Sequence, residues 1–375
     1  NAAHEEHRRR DDEQQALIET QQCQIETQQK QIEAQETQIE AQQKQIDILS
    51  SALDEVKQLL SRCRTNIASI ASHVNVPPQC LTTLSGHDSS VLCVDCNPDG
   101  TRLSSGSGDH TIKIWDAGQG NCLATLSGHI SDVQSVDWHP DGTRLASGSL
   151  DQVIKIWDTA KGICLATLSG HTSYVLCVQW HFDGTHLASG SHGHTIKIWD
   201  TNQNTCLKTL SGHTSVVDTV QWHQDGIRIA SGSGDQNIKI WGSTKGTCLA
   251  TLSGHTQRVW SVHWHPDGTR LASGSNDKTI KIWDTAKQTC LTTLPGHTSY
   301  VRSVHWHPDG TRLASGSADY TVKLWDVASG TVLATLSDHS DDVWSVQWHP
   351  DGTRLFSGSR DKTIKVWQMG VDIDL

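Results

Sequence analysis

The sequence predicts an all-β fold, a seven-bladed β-propeller, with an N-terminal α-helical coiled-coil stalk. Two series of residues predict the propeller. Gly-His recurs at Gly86-His87, Gly128-His129, Gly170-His171, Gly212-His213, Gly254-His255 and Gly296-His297, with Asp338-His339 next in register. Trp recurs at Trp115, Trp157, Trp199, Trp241, Trp283, Trp325 and Trp367. Both series step by 42 residues without insertion or deletion, a period that marks a repeat architecture. A third series predicts the stalk: an apolar residue at every seventh position through residues 12–74.

Residues 1–11 are polar, and the start at Asn1 leads us to expect a processed chain or a fragment. Residues 12–74 are rich in Gln, Glu and Ile. Ile18, Ile25, Ile32, Ile39, Ile46, Leu53, Leu60 and Ile67 take heptad position a. Position d is Gln in the first half (Gln21, Gln28, Gln35, Gln42) and mostly apolar in the second (Leu49, Val56, Cys63, Ile70). So narrow a stripe suits a seam between helices better than a helix laid on a globular surface. A homo-oligomer, dimer or trimer, is expected. Residues 75–79, which include Pro77-Pro78, end the helix as a short stiff linker, because proline removes a backbone donor and restricts its predecessor.

The propeller is expected over residues 80–368, with a tail at 369–375. Unit five shows how a unit is built. It opens on residues 259–264, where Val259 and Val262 stand three apart and suggest a bulge. Pro266-Asp267-Gly268 turns into a second strand at residues 269–274. Residues 279–283 alternate as a third, and residues 248–252, ahead of the Gly-His, show the fourth. Four short strands per unit make a blade, not a helix pair.

These residues resemble the WD40 repeat family, whose signature is Gly-His near the start of a repeat and Trp-Asp, here Trp283-Asp284, near its end. The resemblance implies a four-stranded antiparallel sheet per repeat, set radially around a channel. Trp241-Gly242, Trp367-Gln368 and Asp338-His339 are mild departures. The last unit lacks a fourth strand, and a spare one at residues 80–84 precedes the first unit. That segment is expected to complete the last blade and remove an open sheet edge.

By the same resemblance, His255, Ser273, Asp277 and Trp283 form a buried hydrogen-bonded set, with counterparts in the other units. His, Asp and Ser together invite comparison with a hydrolase triad. A set repeated about seven times is a framework, whereas catalysis needs one constellation in one cleft. Unit three departs, because Ser191-His192-Gly193-His194 puts Gly where the turn Asp belongs, and this blade is expected to be the softest. His192 and His194 offer only two metal ligands, too few for a site. The series His139, His181, His223, His265, His307 and His349 reads as a packing residue beside a Trp. No metal or cofactor is expected, and no enzyme.

In WD40 proteins the commonest partner-binding face carries the residues flanking the first Val of each unit and the residue before the turn Asp. Around this ring those positions hold Ser90, Leu92, Gly108, Asp132, Gln134 and Leu150 in units one and two, Tyr174, Leu176, His192, Val216, Asp218 and Gly234 in units three and four, and Arg258, Trp260, Asn276, Tyr300, Arg302, Ala318, Asp342, Trp344 and Arg360 in units five to seven. Tyr174, Arg258, Trp260, Tyr300, Arg302, Asp342, Trp344 and Arg360 are singled out as partner-binding. Trp, Tyr and Arg most often dominate interface energy. Three arginines on an otherwise acidic domain suggest a protein or peptide partner that is acidic or phosphorylated.

The net charge of −11, with no basic run, argues against nucleic-acid binding through phosphates. No apolar run is long enough for a membrane span. Six of the eleven Cys recur once per unit, too far apart to pair, which points to a reducing cytoplasmic or nuclear setting. The expected function is a non-catalytic protein-interaction scaffold oligomerised through its stalk. The alternative is a structural building block of a cytoskeletal, ciliary or coat-like assembly.

Overall fold

Short alternating apolar runs separated by Asp-Gly turns cannot extend into helices, and each 42-residue unit accordingly folds as four strands. The computed structural model describes residues 77–370 without a break, together with residues 29, 35, 38, 42–45 and 51. Over 77–370 it contains strands β1 to β28 in seven four-stranded antiparallel sheets. The first blade is β2 (Val91–Cys96), β3 (Arg102–Ser107), β4 (Ile112–Asp116) and β5 (Cys122–Leu126). We call these positions a, b, c and d. The other complete blades repeat that order.

Burial grades across each blade. Strand b is nearly all buried, strand c keeps its Trp buried, and strand d buries only its last Leu. The a strands of neighbouring blades meet one another and form the inner wall of the ring. The core is therefore a chain of inter-blade clusters, one of which joins Ala146, Ile154 and Ile156 of one blade to Val175, Val178 and Leu187 of the next.

The last blade draws its outer strand from the start of the ring. β1 (Gln79–Leu84) pairs antiparallel with β28 (Ile364–Gln368), with Cys80 opposite Trp367 and Leu84 opposite Ile364. The sheet then runs through β27 (Arg354–Ser359) to β26 (Val343–Trp348). The a strand of this blade meets β2, so the ring closes by sheet pairing and by packing together.

The heptad residues Ile18, Ile25, Ile32, Ile39, Ile46, Leu53, Leu60 and Ile67 lie outside the described residues. The described residues of that segment, among them Gln35, Gln42 and Ser51, are helical and exposed. Among the described residues no helix is long and apolar enough to cross a membrane.

Candidate functional site

Two polar systems repeat around the ring, and only one of them is constant. In blade five the indole N–H of Trp283 donates to Ser273 Oγ at 2.8 Å. That leaves the Ser hydroxyl to donate to His255 Nε2, 2.7 Å away, and His255 Nδ1–H to donate to Asp277 at 2.7 Å. His255 and Ser273 are buried, so the donors and acceptors are satisfied internally rather than by water. The Trp–Ser and Ser–His contacts recur in all seven blades, for example through Ser105, Ser189 and Ser357. The His–Asp contact recurs in six. In blade three Gly193 replaces the Asp, and buried His171 Nδ1 has no partner. Burial lowers the His171 pKa to about 4, helped by the Lys197 charge. Repeated around the ring with its polar atoms turned on one another, this relay is built as a framework.

The second system lies where strand a begins. In every blade the pairing of strands a and b slips after the first Val, as between Val259 and Ser261. The slip leaves Trp260 without a cross-strand partner, a bulge that re-aims the side chain. Its counterparts are Leu92, Gln134, Leu176, Asp218, Arg302 and Trp344. All seven bulge residues, one per blade, line a single depression of about 240 Å³, and Leu150 and Arg258 complete it. Because every blade contributes, the depression sits on the ring axis, at one mouth of the central channel.

The mouth has two halves. Blades one to three supply Leu92, Gln134, Leu150 and Leu176. Blades five to seven supply a stack in which the Arg302 guanidinium carbon lies 4.4 Å from the Trp260 ring centre and 4.2 Å from that of Trp344. Arg258 lies 3.9 Å from the Trp260 ring centre, and Tyr300 is 5.5 Å from Arg302. A guanidinium over indole gains from the ring quadrupole, the more so when desolvated. Trp260 also donates to Asn276. Buried Arg302 Nε and Trp344 Nε1 have no hydrogen-bond partner.

The structure places the sequence-derived residues unevenly. Arg258, Trp260, Arg302 and Trp344 come together in the mouth, with Tyr300 and Asp342 against them. Arg360 is exposed and lies 3.9 Å from Asp341, while Tyr174 packs on His192 in blade three. Two of the three arginines are paired with carboxylates. Arg258 makes a two-pronged pair with buried Asp218, and Arg302 binds Asp342 at 3.3 Å. Burial pushes the Asp218 carboxyl up to about 6, against the pull of Arg258. Asp218, Leu92, Gln134, Leu150 and Leu176 stand at the face positions read from the sequence but were not singled out as partner-binding, and the ion pairing was not foreseen. One spacing carried part of that information: both ion pairs join residues 40 apart, a bulge residue and the residue before strand a of the next blade.

A further inner ring lies toward the other end of strand a, at its fifth residue: Asp95, Asp137, Gln179, Gln221, His263, His305 and Gln347. Several of these side chains accept the backbone N–H of a Trp on the next blade, as Asp95 does from Trp138 at 2.8 Å and Asp137 from Trp180 at 2.6 Å. Gln347 donates to the other oxygen of Asp95 at 3.0 Å. Burial raises both Asp pKa values, that of Asp95 to about 7, and burial also lowers those of His263 and His305.

Comparison with known proteins agrees with this architecture. A family model described as a WD domain, G-beta repeat, matches residues 78–116, 120–158 and 162–200. A model of the WDR3 first beta-propeller domain matches residues 195–369. Similar stretches occur in a Notchless protein homolog of Arabidopsis thaliana (53% identical over 38 residues, 10% of this chain and 8% of that protein). They also occur in the vegetative incompatibility protein HET-E-1 of Podospora anserina (58% over 41 residues, 11% and 3%). Protein Mut11 of Chlamydomonas reinhardtii is 43% identical over 54 residues, 14% of this chain and 15% of its own length. Each match spans about one repeat and a small part of the relative.

Proposed function

Because this chain carries WD40 repeats closed into a seven-bladed ring, and proteins of that kind are generally non-catalytic interaction scaffolds, we propose that it binds a protein or peptide at the channel mouth lined by its seven bulge residues. The observation that carries the proposal is the Trp260–Arg302–Trp344 stack beside a Leu-lined half. A segment that pairs an apolar side chain with a hydrogen-bond acceptor fits both halves. Arg302 Nε and Trp344 Nε1 are buried donors without acceptors, each costing about 1–3 kcal/mol. An acceptor entering the mouth relieves that cost. An acidic or phosphorylated group suits the site as a competitor of Asp342 for Arg302, not as counter-ion to free arginines.

We further propose that residues 12–74 oligomerise the chain as a coiled coil. Several rings on one stalk would raise the effective concentration of mouths and turn weak single contacts into avidity. The test is a displayed-peptide selection on the full chain, followed by titration of the strongest binder. Trp260→Ala and Arg302→Ala should each weaken binding by about 1–3 kcal/mol, as well-placed anchors do. Asp132→Ala, outside the lining, should change it little. Equal affinity across all three variants overturns the mouth as the site. An unchanged sedimentation mass for an Ile32→Asp/Ile39→Asp variant overturns the stalk.

A further inference from the structure

The turn between strands a and b carries the same three side chains in five blades: a His, an Asp two residues on and an Arg five residues on. In blade two, Arg144 Nη2 lies 2.7 Å from His139 Nε2 and 3.2 Å from Asp141 Oδ2. In blade five, Arg270 Nη2 lies 2.8 Å from His265 Nε2 and 3.4 Å from Asp267 Oδ2. A permanent cation thus sits between imidazole and carboxylate. Blade three keeps His181 and Asp183 but puts His186 where the Arg belongs.

An imidazole cannot replace the fixed charge of a guanidinium, but it supplies a lone pair that guanidinium lacks. His186 Nδ1 is 2.8 Å from one Asp183 oxygen, and His181 Nδ1 is 3.0 Å from the other. The candidate ligand atoms of the three residues all lie within 4.8 Å of one another. The bond from His181 Nε2 to Gly226 O is 3.2 Å, the longest of its series, against 2.7 Å for His265 and 2.8 Å for His139. His181 Nδ1 also accepts the Asp183 backbone N–H at 3.0 Å, so a metal ligated through Nδ1 would replace that bond. The three residues line a cleft of about 240 Å³ together with Lys208 and Thr244, which leaves room for an exchangeable ligand.

We propose that blade three replaces the missing guanidinium with a divalent transition-metal ion, of which zinc is the type, held by His181, Asp183 and His186. Two imidazoles and one carboxylate suit zinc, copper or nickel rather than magnesium or calcium. Three protein ligands and one open position make a tetrahedral zinc set. The site belongs to the far end of strand a from the channel mouth and does not depend on what the mouth binds.

The test is zinc binding to the full chain, by competition with a chromogenic chelator and by thermal melts with and without zinc. His186→Arg restores the residue that all six other blades carry at this position, so it should fold. It should lose one zinc equivalent and the zinc-induced rise in Tm. Asp183→Asn should weaken zinc at least about tenfold, the effect of removing one ligating interaction of ~1.4 kcal/mol. His192→Ala/His194→Ala should bind as the unmodified chain does, and magnesium should not raise Tm. Cobalt(II) should give bands of nitrogen and oxygen ligation without sulfur charge transfer. Equal zinc stoichiometry and equal stabilisation in the unmodified chain and His186→Arg would overturn the site, as would sulfur charge transfer at the equivalent lost in His186→Arg.

Discussion

The Trp–Ser–His–Asp relay and the ring of bulge residues are both built once per blade, yet the relay scarcely changes around the molecule and the bulge ring changes at almost every step. Ser105, Ser147 and Ser189 make the same two contacts at the same distances. Leu92, Gln134, Leu176, Asp218, Trp260, Arg302 and Trp344 share only a backbone position. The difference follows from what each position must satisfy. A buried relay leaves an unpaired donor if any member changes, whereas a bulge side chain faces an open depression and is free to differ. Constancy marks the frame, and variation marks the surface available for recognition.

The largest expected effect breaks the frame itself. Removing residues 80–84 deletes most of β1 and exposes the edge of β28 in the last blade. The ring should lose its cooperative melt, whereas removing residues 371–375 should shift Tm little. Equal effects in calorimetry would show that strand pairing does not hold the ring shut.

Blades five and three then test the relay against its natural exception. Asp277→Ala orphans His255 Nδ1 and the Thr256 and Thr279 N–H groups, and should cost about 1–3 kcal/mol. Gly193→Asp should do the reverse by a similar or smaller amount. A Cβ there meets its nearest neighbours at 3.5–3.6 Å, an ordinary contact, and the carboxylate would reach His171. The sign of the pH effect follows from the lowered His171 pKa. Between pH 6.5 and about 4 the unfolded chain takes up a proton that folded His171 refuses, so stability falls as pH falls. Gly193→Asp should shrink that acid loss in urea titrations at pH 7 and pH 5. A variant no more stable than the parent at either pH would show that blade three is already relaxed around its glycine.

The frame was legible because period and composition coincide: an unbroken step of 42 residues places Gly-His, Asp-Gly and Trp in fixed register, and the two valines three apart mark the bulge. The site was legible only in part. Trp260, Arg302 and Trp344 stand out as residue types at variable positions, but their electrostatics do not. Asp218 and Asp342 neutralise Arg258 and Arg302 across a blade boundary, at a spacing of 40 residues set by the geometry of neighbouring a strands. No local pattern shows that contact. The replacement of Arg by His186 is visible in the repeat, but its meaning depends on where the guanidiniums of other blades sit.

The smallest expected effect sharpens the comparison, because it concerns a third ring that is half-buried, hydrogen-bonded like the relay and variable like the bulges. Asp95 and Asp137 occupy the positions that Gln179 and Gln221 fill in blades three and four, where an amide oxygen accepts the same kind of Trp N–H. Burial raises both carboxyl pKa values, that of Asp95 to about 7. A group whose folded pKa is raised binds a proton that the unfolded chain has lost. Folding is therefore penalised as pH rises from the ordinary Asp value of 3.8 toward about 7, and the penalty stays in place above it. Asp95→Asn removes the titration and keeps an acceptor for Trp138, while Gln347 can turn its amide oxygen toward the new N–H group. Tm at pH 8 should rise by roughly 2 °C, the shift that about 1 kcal/mol produces in a large domain, and should not rise at pH 4. A fall at pH 8 would instead mean that the Asp95 charge is needed, and would move this ring from the variable class into the frame.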